Sequence, residues 1–284
     1  MIIDFRVRPP FSSNVRQQTF RSMFTATHVE NVWTRYREPI PSWDQHSVEL
    51  MVQEMNEAGV DVSVLMGRVT EKNLDASCDP NGESAALIAQ YPNRFVGFAA
   101  VDPLDPQAVD KIRYWTEEKG FKGISMDPGW STPALYADAC EIEPIYDYCE
   151  KHGIPVGVTQ SGLMGPDMSF SEPVRIQRIA TRHPELNLVI PHACWPHFHN
   201  AIFLAMACSN VYLIPDAYFY TKGMPMVQDF VIATNYHIKH NVLFATSYPL
   251  CGFTPCLEAW RNSGLNEEAV QLTLGENAVR ILRL

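Results

Sequence analysis

The sequence contains no long hydrophobic run and carries little positive charge. No segment approaches the roughly 18 uncharged apolar residues that a membrane span requires, so we expect no membrane association. Lys plus Arg number 22 and Asp plus Glu number 32, which gives a formal net charge of −10, and no dense Lys/Arg run reverses this sign locally. Because an acidic surface repels polyphosphate, we also expect no nucleic-acid partner.

Cysteine spacings typical of disulfide frameworks or zinc sites are absent as well. The seven cysteines are an odd number and show no CxxC or Cys/His spacing, which favours buried thiols in a reducing compartment. The first ten residues, MIIDFRVRPP, contain an acid and two arginines where a secretory signal would have an apolar run. Together these features predict a cytoplasmic protein.

Short apolar segments rich in β-branched residues are what the sequence does contain. Eight of them recur along the chain with nearly continuous hydrophobicity, as in parallel strands covered on both faces. They occupy residues 1–7, 60–66, 95–101, 121–126, 154–159, 187–191, 210–215 and 241–246. Segments with helical spacing lie between them, and several end at a glycine or before a proline, as at Gly120, Gly153 and Pro184. The pattern predicts an α/β fold, a single (β/α)8 TIM barrel spanning 1–284, rather than two domains.

Two segments exceed what a minimal strand-helix unit needs. Residues 9–47 are rich in Pro, Ser, Arg and aromatics, and residues 161–173 contain several glycines and prolines. Because both follow predicted strands, we expect them to form lid loops over the C-terminal mouth of the barrel, with ordinary surface loops as the alternative. The first loop holds four further candidate substrate contacts, which rest on position alone: His28, Trp33, Trp43 and Asp44.

Six motifs follow one another at the predicted strand ends and near the C-terminus. They are Ile3 to Pro9, Gly123 to Pro128, Ile154 to Val156 with Ser161-Gly162, His183 to Leu186 with Pro191-His192, Leu243 to Pro249, and Leu274 to Ala278. In this order and spacing they resemble the amidohydrolase superfamily. The branch that matches best includes aminocarboxymuconate-semialdehyde decarboxylase, resorcylate decarboxylase and related lactonases. The resemblance covers essentially the whole chain.

The resemblance implies a metal centre, but this sequence departs from the family's ligands. In the family His-x-His ends strand one, a His ends each of strands five and six, and an Asp ends strand eight. The matching positions here hold, in order, Arg6 and Arg8, Thr159 or Gln160, His192, and Ser247. Arginine has no lone pair to offer a cation, and a catalytic zinc normally needs three protein ligands, so we expect no metal and no cofactor. A metal held outside the family pattern, by His192, Asp127, His197 and a loop carboxylate, stays an alternative.

The two arginines themselves suggest an anion site. Two guanidinium groups carry about the charge of one divalent ion, and each presents a fork of donors suited to a carboxylate or an oxyanion. We therefore expect Arg6 and Arg8 to bind the substrate as catalytic residues. The alternative is an internal salt-bridge network with acids such as Asp127, Asp216 or Asp44.

His192 and Asp127 are the candidate proton-transfer groups. His192 ends strand six, and its ordinary pKa near 6.5 suits general acid or base chemistry, although neighbouring arginines would lower it. Asp127 ends strand four and could act as a base or steady an arginine, or it could simply cap the turn that follows. Cys194, beside His192, is more typical of a small buried hydrophobe than of a nucleophile.

The remaining strand ends supply candidate substrate contacts. These are Arg68, Trp130, Thr159, Gln160, Asp216, Tyr218, Ser247 and Tyr248. Our main hypothesis is a metal-independent hydrolase that opens a lactone or similar ester-like bond in a small organic acid. The alternative is a non-oxidative decarboxylase, in which the same arginines hold the carboxylate that leaves. A second alternative is a non-catalytic anion-binding barrel, and aromatic stretches such as 218–226 allow a homo-oligomer.

Overall fold

A computed structural model describes residues 1–17, 38–69, 78–225 and 227–284. Its centre is a sheet of seven parallel strands in the sequential order β1 to β7. The strands are β1 Ile3–Val7, β2 Val62–Met66, β3 Phe95–Ala100, β4 Gly123–Met126, β5 Val156–Val158, β6 Leu188–Pro191 and β7 Val211–Ile214. Every one of their residues is buried, as the continuous hydrophobic runs predicted.

The eighth predicted strand is irregular, yet it joins the two edges of the sheet. Residues 241–246 form no named strand, but Leu243 N–H donates to the Leu213 carbonyl at 3.0 Å. On the other side, Phe5 N–H donates to the Phe244 carbonyl at 3.0 Å. Asp4 also contributes, since its carboxylate accepts from the N–H and the hydroxyl of Thr246 at 3.0 and 2.6 Å. The TIM-barrel prediction is confirmed, with one side-chain-bridged segment in place of a regular eighth strand.

Helices surround the sheet. They are α1 Ser12–Val15, α2 Pro41–Asp44, α3 Val48–Ala58, α4 Pro80–Gln90, α5 Ala108–Arg113, α6 Glu143–His152, α7 Pro173–Arg182, α8 Phe198–Ala207, α9 Asp216–Tyr220, α10 Val227–Ala233, α11 Phe253–Arg261, α12 Glu267–Gln271 and α13 Asn277–Leu282. Local chemistry defines several ends: Ser47 Oγ accepts from Leu50 N–H at the start of α3, and Gly59 adopts φ of 77° at its end. No helix of the described residues is long and apolar enough to cross a membrane.

The core lies on both faces of the sheet. One cluster fills the barrel interior, with Phe5 meeting Phe98 edge to face at a ring-centroid distance of 5.5 Å. Gly123 makes room for this pair, because a Cβ there would lie 2.5 Å from the Phe98 ring. The larger cluster packs the outer face of the strands against the helices. With one end of the barrel so filled, polar chemistry is confined to the carboxyl ends of the strands.

Of the two predicted lid segments, the structure describes 161–173 and parts of 9–47. The shorter segment contains a 3-10 helix at Met168–Ser171. In the longer one, α1 and α2 are described, whereas His28 and Trp33 lie outside the described residues. Their role as lids stays a prediction.

Candidate active site

Four predicted residues meet at one nitrogen atom. Arg6 NH1 donates to Asp216 Oδ2 at 2.7 Å and to Ser247 Oγ at 2.8 Å, and it lies 3.1 Å from His192 Nε2. Asp216 Oδ1 is in turn 2.7 Å from His192 Nδ1. The Arg6 and Asp216 side chains are 1% and 0% exposed, so this ion pair is withdrawn from water. The strand-end cluster, as we call Arg6, His192, Asp216 and Ser247, joins the ends of β1, β6 and β7 to the eighth segment.

The acid partner that the sequence left open is therefore Asp216 for Arg6, and Asp127 for Arg68. Arg68 Nε donates to Asp127 Oδ2 at 2.7 Å, and the Arg68 guanidinium lies 4.2 Å from the Trp130 ring centroid. Thr159 also hydrogen-bonds the Asp127 side chain. Arg8 is buried, and the charges of Arg6, Arg68, Asp127 and Asp216 all act on it. Three arginines and two aspartates thus share the buried mouth of the barrel.

Burial and these pairings set the protonation states. Burial alone would raise the pKa of Asp216, but His192 and Arg6 outweigh it and the pKa is lowered. Asp127 behaves likewise, since Arg68 and Arg8 outweigh its burial and lower its pKa. Burial lowers the pKa of His192 to about 4, with Asp216 opposing and Arg6 adding to the shift. At neutral pH the mouth therefore holds two carboxylates and a neutral imidazole.

The backbone at the strand-end cluster is unusual. His192, Asp216 and Ser247 have φ values of 66°, 38° and 60°, the left-handed region that side-chain-bearing residues rarely adopt. Asp216 and Ser247 accept hydrogen bonds from Arg6 NH1, and His192 Nε2 lies 3.1 Å from it. Strained backbone of this kind concentrates at functional sites, which supports a working site rather than a relic.

A small apolar crevice of about 20 Å³ borders His192. Trp195, Phe198 and Phe230 line it together with Tyr218. Tyr218 meets the His192 ring edge to face at a centroid distance of 5.2 Å, and Trp195 stacks on Tyr218 at 4.4 Å. The crevice itself has room for about one water molecule, and its aromatic side chains give the charged mouth an apolar wall.

Some predicted residues are placed elsewhere. Tyr248 is fully buried between helices α2 and α11, where its hydroxyl lies 2.7 Å from Ser42 Oγ and its ring stacks on Phe253. Asp44 is exposed at the end of α2. The Gln160 amide donates to the Thr159 carbonyl at 3.1 Å. Burial raises the pKa of the Cys194 thiol, as expected of a buried hydrophobe and not of a nucleophile.

Three contributors escaped the sequence analysis. Trp195 was not predicted as a site residue. Its position three residues after His192 could have suggested an aromatic wall beside the imidazole. Ser161 holds the Tyr218 hydroxyl at 2.7 Å. Asp4 precedes Arg6 by two positions, and its carboxylate accepts from the Arg6 N–H at 3.2 Å, so it helps to fix the start of the cluster.

The comparisons with known proteins agree on the family. A family model described as amidohydrolase matches residues 27–284. The gamma-resorcylate decarboxylase of Rhodococcus jostii (strain RHA1) is 23% identical over 294 residues, covering 85% of each chain. An uncharacterized TIM-barrel protein, Bb4693, from Bordetella bronchiseptica has a TM-score of 0.86 and 31% identity over 99% of this chain and 98% of its own. A dihydroxybenzoic acid decarboxylase from Polaromonas sp. JS666, solved with bound manganese, has a TM-score of 0.70 and 16% identity over 100% and 97%.

Two predictions are wrong in the light of these findings. The main hypothesis of a lactone hydrolase gives way to the alternative, since the named relatives are decarboxylases. The expectation of no cofactor is also overturned, because similar structures bind manganese. In addition, Glu143, Asp147 and His183 could hold an ion, since their ligand atoms lie within 4.8 Å of one another. Carboxylate and imidazole are ligand types that manganese accepts.

The mouth itself does not fit a divalent ion. Its imidazole and one carboxylate bond to each other and to Arg6, and its second carboxylate bonds to Arg68. Within the described ranges, the alternative set of His192, Asp127 and His197 does not come together as a candidate metal group. His183, in the other candidate group, already lies 3.0 Å from carboxylate oxygens of both Glu143 and Glu150. We therefore derive no chemical step through a metal.

Proposed function

We propose, from the premise that the chain belongs to the amidohydrolase family, that it is a non-oxidative decarboxylase of a hydroxylated aromatic acid. The observation that carries the proposal is one buried site with three parts. The first part is a neutral imidazole, His192, which is hydrogen-bonded to the carboxylate of Asp216. The second is a group of buried arginines, and the third is an apolar crevice. A carboxylate would bind the arginines, an aromatic ring would pack against the aromatic wall beside His192, and the imidazole would move a proton.

The arginines account for binding of the acid. Arg8 and Arg68 are both buried, and Arg68 is oriented by its hydrogen bond to Asp127 and by the face of Trp130. A buried guanidinium gains most from an anion whose charge compensates its own. We propose that these two residues receive the substrate carboxylate, with Asp127 holding Arg68 in place. Of the predicted clamp of Arg6 and Arg8 the proposal keeps Arg8, and Arg68, predicted as a substrate contact, takes the place of Arg6.

His192 accounts for the proton transfer. Its Nε2 exchanges the 3.1 Å contact with Arg6 NH1 for a ring hydroxyl that lies beside the carboxylate and accepts the proton of that hydroxyl. Asp216 stabilises the imidazolium that forms. The imidazolium then gives this proton to the ring carbon that bears the carboxylate. The bond between that carbon and the carboxylate breaks, its electron pair returns to the ring, and CO2 leaves. The resulting phenolate takes one proton from solvent, so one proton is consumed for each CO2 released.

The relatives support this reaction over the other candidates. Gamma-resorcylate and dihydroxybenzoic acid, the acids in the names of two similar proteins, are aromatic acids with ring hydroxyls. The arginines and the imidazole would suit hydrolysis as well, so the preference for decarboxylation rests on these named relatives. A small organic acid as partner fits both the family and the charge of the mouth.

The direct test is an assay for CO2 and the decarboxylated product. Purified protein is incubated with 2,6-dihydroxybenzoate, 2-hydroxybenzoate and 5-carboxyvanillate, each with added MnCl2 and with a chelator. We expect release of CO2 from at least one hydroxylated acid, and a loss of about 100-fold or more in kcat for His192→Gln. An exposed histidine, His199, provides the control variant His199→Gln, which should retain activity. Binding of these acids without CO2 release would instead support a non-catalytic barrel.

A further inference from the structure

The Arg6 guanidinium sits at the centre of the strand-end cluster. Its NH1 lies 2.7 Å from Asp216, 2.8 Å from Ser247 and 3.1 Å from His192, and the side chain is 1% exposed. The three neighbours come from the ends of three different barrel segments. Arg6 was expected to bind substrate, but its NH1 contacts three groups of the protein itself.

These contacts determine which nitrogen of His192 carries the hydrogen. Asp216 is ionised, so its Oδ1 can only accept, and Nδ1 at 2.7 Å must donate. Arg6 NH1 has two hydrogens for three neighbours, so Nε2, at the longest distance of 3.1 Å, can only share one of them, and it can do so only while it carries no hydrogen of its own. The two constraints act on opposite sides of one ring and agree. They leave a single arrangement, a neutral imidazole with its hydrogen on Nδ1 and its lone pair on Nε2.

The chain adopts an unfavourable backbone to make these contacts. His192, Asp216 and Ser247 all have positive φ, and none is a glycine. A left-handed conformation at a residue with a side chain persists only where the surroundings enforce it. All three residues contact Arg6, whereas Ala193 and Cys194, which also have positive φ, follow His192 in the chain. Part of the strained backbone at the strand ends therefore surrounds the guanidinium.

We infer that Arg6 is a positioning residue, which keeps Nε2 of His192 unprotonated while Asp216 holds the hydrogen on Nδ1, and which thereby presents Nε2 as the proton acceptor. This inference rests on the proposed function, where Nε2 takes the hydroxyl proton. It assigns Arg6 a role different from that of Arg8 and Arg68. A proton that arrives on Nε2 faces the guanidinium at hydrogen-bond distance, so it is readily passed on. That property suits protonation of a ring carbon, which is a poor base.

The test observes the imidazole directly. Protein labelled with 15N-histidine is examined by NMR at neutral pH and as the pH is lowered, and the His192 signals are assigned by their absence from His192→Gln. In the wild-type protein we expect the hydrogen on Nδ1 and none on Nε2. Arg6→Met keeps the Nδ1 hydrogen that Asp216 accepts but removes the positive charge beside Nε2, so Nε2 should take up a proton at a higher pH than in the wild-type protein. Arg6→Lys, which keeps that charge, should restore the wild-type titration. Arg94→Met is the control, because Arg94 makes three hydrogen bonds at the opposite end of the barrel.

Each result has a defined meaning. A hydrogen on Nε2 of wild-type His192 would overturn the inference, and this holds even if Arg6→Met does not fold. So would an unchanged titration of Nε2 in a folded Arg6→Met variant. In turnover, a positioning role predicts that Arg6→Met lowers kcat by about 100-fold with KM changed by less than about threefold, while a binding role predicts a large rise in KM. If no acid is decarboxylated but the NMR result holds, the proposed function fails and the positioning role stands.

Discussion

Replacing Asp216 with asparagine would test the energetics of the strand-end cluster. Asp216 is 0% exposed and its two oxygens serve Arg6 and His192, each at 2.7 Å. Asparagine keeps nearly the same shape but removes the negative charge. The Arg6 guanidinium would then be buried with its nearest compensating charge gone.

The expected loss follows from that uncompensated charge. Removing one partner of a buried ion pair costs about 3–5 kcal/mol, because the other charge stays withdrawn from water. This is a large fraction of the roughly 5–15 kcal/mol that stabilises a typical protein. At roughly 2 °C per kcal/mol for a chain of this length, the melting temperature should fall by about 6–10 °C.

The assay is urea unfolding followed by circular dichroism, with the free energy of unfolding compared between variants. Asp110→Asn is the matched control, since Asp110 pairs with Arg113 at 3.2 Å while 73% and 53% of the two side chains are exposed. Because solvent screens that exposed pair, its loss should change the free energy of unfolding little. A loss for Asp216→Asn no larger than that of the control would refute the claim that Arg6 depends on Asp216 for charge compensation.

Three further predictions address packing, pH and binding. Gly123→Ala should cost about 1–3 kcal/mol in urea unfolding, because its Cβ would lie 2.5 Å from the Phe98 ring; a loss below about 0.5 kcal/mol would count against this packing. Burial raises the pKa of Asp4 to about 7, so the folded state holds a proton there that the unfolded state releases near pH 4. The wild-type protein should therefore lose stability relative to Asp4→Asn as pH rises from about 4 to about 7, and a difference that does not vary with pH would contradict this assignment. Arg68→Met should raise KM for the acid by about 10-fold or more while Arg94→Met leaves it unchanged, as expected from loss of a charged hydrogen bond; equal KM values in steady-state assays would exclude Arg68 from binding.

The barrel could be predicted because buried parallel strands produce continuous apolar runs in the sequence. Seven of the eight continuous apolar runs became strands, since a parallel strand covered on both faces needs apolar residues at successive positions. The eighth run differs because Asp4, a side chain from β1, accepts the Thr246 N–H that a regular ladder would pair with a backbone carbonyl. Hydrophobicity alone contains no information about such a side-chain substitution.

The sequence predicted which residues meet at the barrel mouth better than it predicted which of them pair with one another. Positions at strand ends identified Arg6, His192 and Asp216, because barrel topology brings those ends together. The sequence could not show that Asp216 pairs with both of the others, since this depends on the left-handed backbone at residues 192 and 216. Tyr248 follows Ser247 in the chain, yet its ring points into the helix layer, because adjacent residues face opposite ways. The choice of reaction also lay beyond the residues, as arginines and an imidazole suit hydrolysis and decarboxylation alike.

The most direct test of the central claim is the fate of the carboxylate carbon. Hydroxybenzoates labelled with 13C at the carboxyl group are incubated with the protein in D2O and followed by NMR. We predict labelled CO2 and bicarbonate, together with a phenolic product that carries one deuterium at the carbon that had borne the carboxylate. If the acids bind while all the label stays in the carboxylate, with or without added manganese, the protein is not a decarboxylase of this class.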